Sequence, residues 1–234
     1  MSGSPAAGSR LRRLVRERRP AAEQPAGRAA PCDLCGGPLE AEHRHVLDLD
    51  SRELRCACRP CALLFDHRAA GGGHFKLVPE RVLLLEGFAL DDATWDELRI
   101  PVDMAFFFRD SRAGRVQAFY PGPMGATESL LGLEAWEALE RANPVLAGLE
   151  PDVEALLVDR ARGRRRHFLV GVDECYRLVA VIRTRWRGFS GGKEGWEELE
   201  RFFEGLRRRA KVADARAGTR QASAAAAARE GSRA

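Results

Sequence analysis

Apolar residues recur along this chain with two periods, every second position in some short stretches and every third or fourth in others, which sorts it into strands and helices. Residues 45–50 and 53–57 predict two strands around a turn at Ser51 and Arg52. Residues 75–78 and 82–85 predict two more, and a short helix then runs from a cap at Asp91 or Asp92 through Leu98, its end enforced by Pro101. Residues 105–108 and 116–120, rich in aromatic and β-branched side chains, flank a turn with Gly114, and residues 155–158 and 167–172 flank another at Gly163. Each pair predicts a hairpin. Between them, residues 133–142 predict an amphipathic helix that stops before Pro144.

In the last third, Cys175, Leu178, Val179, Ile182 and Trp186 share one helical face behind a cap at Asp173. After the Gly191-Gly192 break, Trp196, Leu199, Phe203 and Leu206 share another, and Arg207, Arg208 and Arg209 suit that helix's C-terminal dipole. Hairpins packed with helices place the fold in the α+β class. The run Phe106-Phe107-Phe108 lacks the alternation of a one-sided sheet, so helices are expected on both faces, with an exposed patch for a partner as the alternative.

Composition adds boundaries. The 234 residues, 45% of them hydrophobic, suffice for a buried core, and no apolar run approaches a membrane span. The net charge of +4 is unevenly spread: residues 1–30 carry +5 and residues 207–234 carry +6, which leaves −7 between them. Residues 1–30 therefore read as a disordered basic arm and residues 211–234 as a disordered Ala/Arg-rich tail. The apolar h-region of a secretory signal is missing after the N-terminal arginines, and cysteine use fits a reducing compartment, so the expected location is the cytoplasm.

Five of the six cysteines fall within residues 32–61. Cys32 and Cys35 form one C-x2-C knuckle, Cys58 and Cys61 another, and the predicted hairpin joins them in the spacing of a zinc ribbon. Two intervening residues let a tight turn aim both sulfurs at one point, and Gly36 and Pro60 shape the two turns. The module spans residues 31–70, and the glycine run at 71–73 is the expected hinge to an α+β domain at 74–210. The expected ligands are Cys32, Cys35, Cys58 and Cys61, with zinc as the metal and iron or an iron–sulfur cluster as the alternative. Cys56 adds a thiol close by, as a buried neighbour or a replacement ligand, and His43 and His45 read as hydrogen-bonding hairpin residues with ligation as the alternative.

Residues 31–66 carry −3, and an ion held by four thiolates would add −2, so this surface would repel phosphates and a protein is the better partner. Elsewhere no catalytic constellation presents itself. Gly191-Gly192-Lys193-Glu194 lacks the glycine and the hydroxyl of a phosphate loop. Cys175 beside His167 would make a nucleophile and base, but Cys175 sits on an apolar helix face as a small hydrophobe. Arg164, Arg165 and Arg166 read as a solvated hairpin tip.

Taken with Cys32-Asp33-Leu34-Cys35-Gly36, His43-Arg44-His45, Cys56-Ala57-Cys58-Arg59-Pro60-Cys61, residues 105–109, 118–121, 125–128 and 175–178, and Trp186-Arg187-Gly188, the chain resembles an uncharacterised bacterial family, a domain of unknown function found in NiFe-hydrogenase gene neighbourhoods. The resemblance implies a metal-stabilised accessory or adaptor in hydrogenase assembly or maturation, partnered with a hydrogenase subunit or maturation factor. The alternatives from other classes are a rubredoxin-like or iron–sulfur electron carrier, and a regulator that binds nucleic acid through its arginine-rich arms.

Overall fold

A computed structural model describes residues 30–66, 73–129, 132–186, 188 and 191–217. The expected basic arm, save its last residue, the glycines at 71 and 72, and the tail beyond 217 lie outside the described residues. In chain order the elements are β1 (Arg44–Asp48), β2 (Glu53–Ala57), α1 (Arg59–Phe65), β3 (Phe75–Leu77), β4 (Leu83–Glu86), α2 (Asp92–Glu97), β5 (Met104–Asp110), β6 (Arg115–Gly122) and β7 (Gly125–Ser129). They continue with α3 (Leu133–Ala142), β8 (Glu154–Asp159), β9 (Arg166–Gly171), α4 (Val172–Arg185), α5 (Gly192–Arg209) and β10 (Lys211–Asp214). Among the described residues, no helix is long and apolar enough to cross a membrane.

The α+β class holds. Seven strands form the main sheet in the order β10-β4-β9-β8-β5-β6-β7, antiparallel throughout except where β10 runs parallel to β4. Phe107 on central β5 packs with Trp95, Trp136 and Leu139 from α2 and α3. Its neighbours Phe106 and Phe108 point the other way, into a cluster with Leu178 and Ile182 of α4 and Phe203 and Leu206 of α5. Helices on both faces explain why three consecutive phenylalanines are tolerated in one strand.

The smaller sheet has the order β2-β1-β3. Residues 75–78 were expected to belong with 82–85 in the main domain, but β3 crosses back to pair with β1, Val46 opposite Leu77. The cause is apolar: Phe75 and Leu77 pack against Val46, Ala57 and Ala62 in the lobe's own core, and Phe75 meets the Phe65 ring at 5.0 Å. Alternation along β1 then sends Leu47 to the opposite side, against Val78, Val153 and Val172 of the main body. The lobe is thus seated on the larger sheet, and Arg52 in its turn fixes it by reaching Asp152 at 2.8 Å and Asp110 at 3.1 Å.

Other expectations are corrected by long-range partners. Residues 211–214 form an edge strand instead of the start of a tail, and the following Ala215 is fully buried. The arginines at 164–166 are tied down by ion pairs: Arg166 grips the buried Asp159 at 2.6 Å and Arg164 pairs with Glu200, while Arg165, still exposed as expected of the tip, holds Asp92 at 2.7 Å. Asp173 lies in the first turn of α4 behind a Gly171 cap, so its carboxylate is available to another partner. Asp91 does cap α2, accepting from the Thr94 N–H at 2.8 Å.

Candidate metal centre

Each knuckle is shaped by its own backbone. In the first, the Cys32 N–H donates to the Gly37 carbonyl at 2.7 Å and the Gly36 N–H to the Cys32 carbonyl at 2.8 Å. The turn places Gly36 at a φ of +75°, a conformation a side chain would strain. In the second, Cys58 is the N-cap of α1, Pro60 sits in its first turn, and the Ala62 N–H donates to the Cys58 carbonyl at 2.9 Å. That helix was not expected from the sequence. It sets Cys61 almost one turn beyond Cys58, on the same side.

A two-bond latch brings the knuckles together. Asp33 donates its N–H to the Cys56 carbonyl at 2.9 Å and accepts the Cys56 N–H on its carboxylate at 2.7 Å. As a result the sulfurs of Cys32, Cys35, Cys58 and Cys61 all lie within 4.8 Å of one another. A tetrahedron with metal–sulfur bonds of about 2.3 Å has its sulfurs roughly 3.8 Å apart, and Cys35 and Cys58 stand at 3.6 Å. All four are free thiols, so the donor set fits a thiophilic ion.

Backbone N–H groups reach two of the sulfurs. The Gly37 N–H points at Cys35 Sγ from 3.4 Å and the Cys58 N–H at Cys32 Sγ from 3.3 Å. Burial pushes the Cys32 thiol up, but the N–H groups of Cys58, Cys35 and Leu34 outweigh it and bring it down to about 6. Cys61 is driven the other way by burial and by the neighbouring thiols. Such a cluster ionises fully only when a cation takes the place of the protons.

Cys56 falls outside this foursome. It groups instead with His43 and His45, their ligating atoms within 4.8 Å of one another. Both histidines make the hydrogen bonds expected of them: His43 Nδ1 meets the Glu40 carbonyl at 3.1 Å and His45 Nδ1 the Asp173 carboxylate at 2.9 Å. Neither Asp173 nor the latching Asp33 was singled out as a site residue, and Asp33 had only its place inside the knuckle to mark it. Cys175 is completely buried, and burial raises its thiol well above the ordinary range, as befits a packing residue.

No curated protein and no solved structure matches the chain. One family profile does, over residues 31–210, from the first knuckle to the end of the last helix. The chain therefore belongs to that family of unknown function, DUF5947.

Proposed function

We propose that Cys32, Cys35, Cys58 and Cys61 hold one zinc ion in a closed structural site, and that the protein is a non-catalytic accessory that binds partner proteins through the lobe so stiffened. The observation that carries this reading is the convergence of four free thiols from two knuckles. Four thiolates complete a tetrahedral shell and leave no position for substrate, the mark of a structural ion. The lobe's own core is small, centred on the buried Val46, Ala57 and Ala62, and a bound ion would add to it. Ion binding in comparable zinc peptides is worth about 10–16 kcal/mol.

Beside the site, α1 presents Leu63 and Leu64, 65% and 59% exposed. Apolar side chains on a lobe of net negative charge suit a protein partner better than a nucleic acid. The hydrogenase neighbourhood of the family that the sequence resembles makes a NiFe-hydrogenase subunit or maturation factor the partner to test first.

Anaerobic purification of the full chain tests both parts. Colourless protein whose zinc content falls when Cys35 and Cys58 are replaced by serine supports the zinc site, whereas thiolate-to-iron colour overturns it. Recovery of a hydrogenase subunit or maturation factor on the bait supports the partner, and its absence, with bait recovered intact, removes it.

A further inference from the structure

We propose that His43, His45 and Cys56 form a second metal site, for a zinc-class divalent ion, with one coordination position open to an outside ligand. It stands independently of the four-cysteine reading.

The hairpin assembles the ligands. His45 is paired directly with Cys56 across β1 and β2, and His43, two residues earlier in an extended segment, falls on the same side. Their three ligating atoms lie within 4.8 Å of one another, and the two imidazole centroids are 5.0 Å apart.

Hydrogen bonds orient the rings. His43 Nδ1 faces the Glu40 carbonyl and His45 Nδ1 faces the Asp173 carboxylate, both acceptors, which keeps the proton on Nδ1 and leaves Nε2 of each ring as the lone-pair donor. A carboxylate behind a histidine is the arrangement that orients imidazoles for metal binding and raises their basicity. Hydrogen bonding alone explains the Nδ1 atoms but not His43 Nε2, which is buried without a hydrogen-bond partner. A buried acceptor left so is unfavourable. A metal ion facing Cys56 would satisfy it.

Two imidazoles and a thiolate exclude magnesium and calcium, which take oxygen, and favour zinc and its neighbours. Three protein ligands leave a fourth position for water or an exchangeable ligand, as in reactive zinc sites. His43 also lines an open cleft of about 610 Å³ with Glu42, Arg44, Cys58 and Glu80, which brings solutes up to this one ligand.

Metal content and cobalt spectra of the full chain test the proposal. Zinc-replete wild type is expected to carry two ions, and the His43→Ala/His45→Ala double variant one. The cobalt form of that variant should keep the intense tetrathiolate bands, which shows the lobe folded and reads the four-cysteine site separately. Asp173→Asn should weaken the second ion roughly 10- to 100-fold and leave the first unchanged. Azide should shift the weaker cobalt bands in wild type and not in the double variant. One ion in a wild type whose cobalt form shows only the tetrathiolate bands, two ions in the double variant, or cobalt bands indifferent to azide would each overturn an open site at these residues.

Discussion

His167 is buried in β9, its ring stacked on Phe88 with centroids 4.4 Å apart. Burial first, then the nearby Arg160 and Arg165 guanidiniums, lowers its pKa from 6.5 to about 4. The unfolded chain therefore takes up this proton before the folded one, so the neutral imidazole contributes stability above pH 6.5 that is lost as pH falls through 4. The gap corresponds to about 3 kcal/mol. His167→Phe should flatten the fall in urea-measured stability between those pH values relative to wild type; parallel curves would contradict the assignment. Arg52 carries a comparable load. Its partner Asp152 is 2% exposed, and besides Arg52 it has the Ser111 N–H at 2.9 Å and Lys76 at 3.9 Å. Replacing Arg52 by methionine takes the nearest cation from a buried carboxylate and should cost about 3 kcal/mol in a urea melt at pH 7, against almost nothing for Arg141→Met, whose exposed pair with Glu137 spans 3.9 Å. Sequence marked Arg52 only as a turn residue, because its partners stand 58 and 100 positions further along.

Hairpins and helices with strong local periodicity, such as β5 with β6, β8 with β9, and α3, lie close to where the apolar pattern puts them. What local pattern could not reveal is partnership. β3 leaves its sequence neighbours for β1, and α1, only seven residues long, carries a single buried side chain, too short a stripe to register as a helix. The candidate site divides the same way. Knuckle spacing identified Cys32, Cys35, Cys58 and Cys61, whereas the link from His45 to Asp173 spans 128 positions. If Cys32, Cys35, Cys58 and Cys61 hold an ion as proposed, the layout also predicts how the lobe responds to its loss. Knuckles and α1 depend on the sulfur cluster, while β1 keeps Leu47 packed against Val78, Val153 and Val172. Chelation under reducing conditions should speed amide exchange across the knuckles and residues 59–65 and leave β5, β8 and β9 protected. Uniform loss of protection would mean that the ion holds up the entire fold.

The main sheet is closed between two helical layers but ends in exposed edges, and the chain uses its last described residues to cover one of them. From α5 it turns into β10, whose Lys211 N–H donates to the Val82 carbonyl at 2.9 Å, and pairs residue by residue with β4. Just past the strand, Ala215 is fully buried, donates to the Glu86 carbonyl at 2.9 Å and accepts from the Val145 N–H at 3.2 Å. Without this segment β4 would present unpaired backbone groups and the partly buried Leu83 and Leu84, a template for another chain. A chain ending at 210 is therefore expected to be less stable than one ending at 217 by about 3 kcal/mol, since at least three backbone hydrogen bonds are lost. That corresponds to a Tm lower by roughly 6 to 12 °C in a protein of this size. Its light scattering should rise with concentration well below the unfolding transition, as the freed edge of β4 recruits a second copy. Equal Tm values for the two chains would show that β10 is an ornament on the edge, and a lowered Tm without association would show that β4 is shielded by other means.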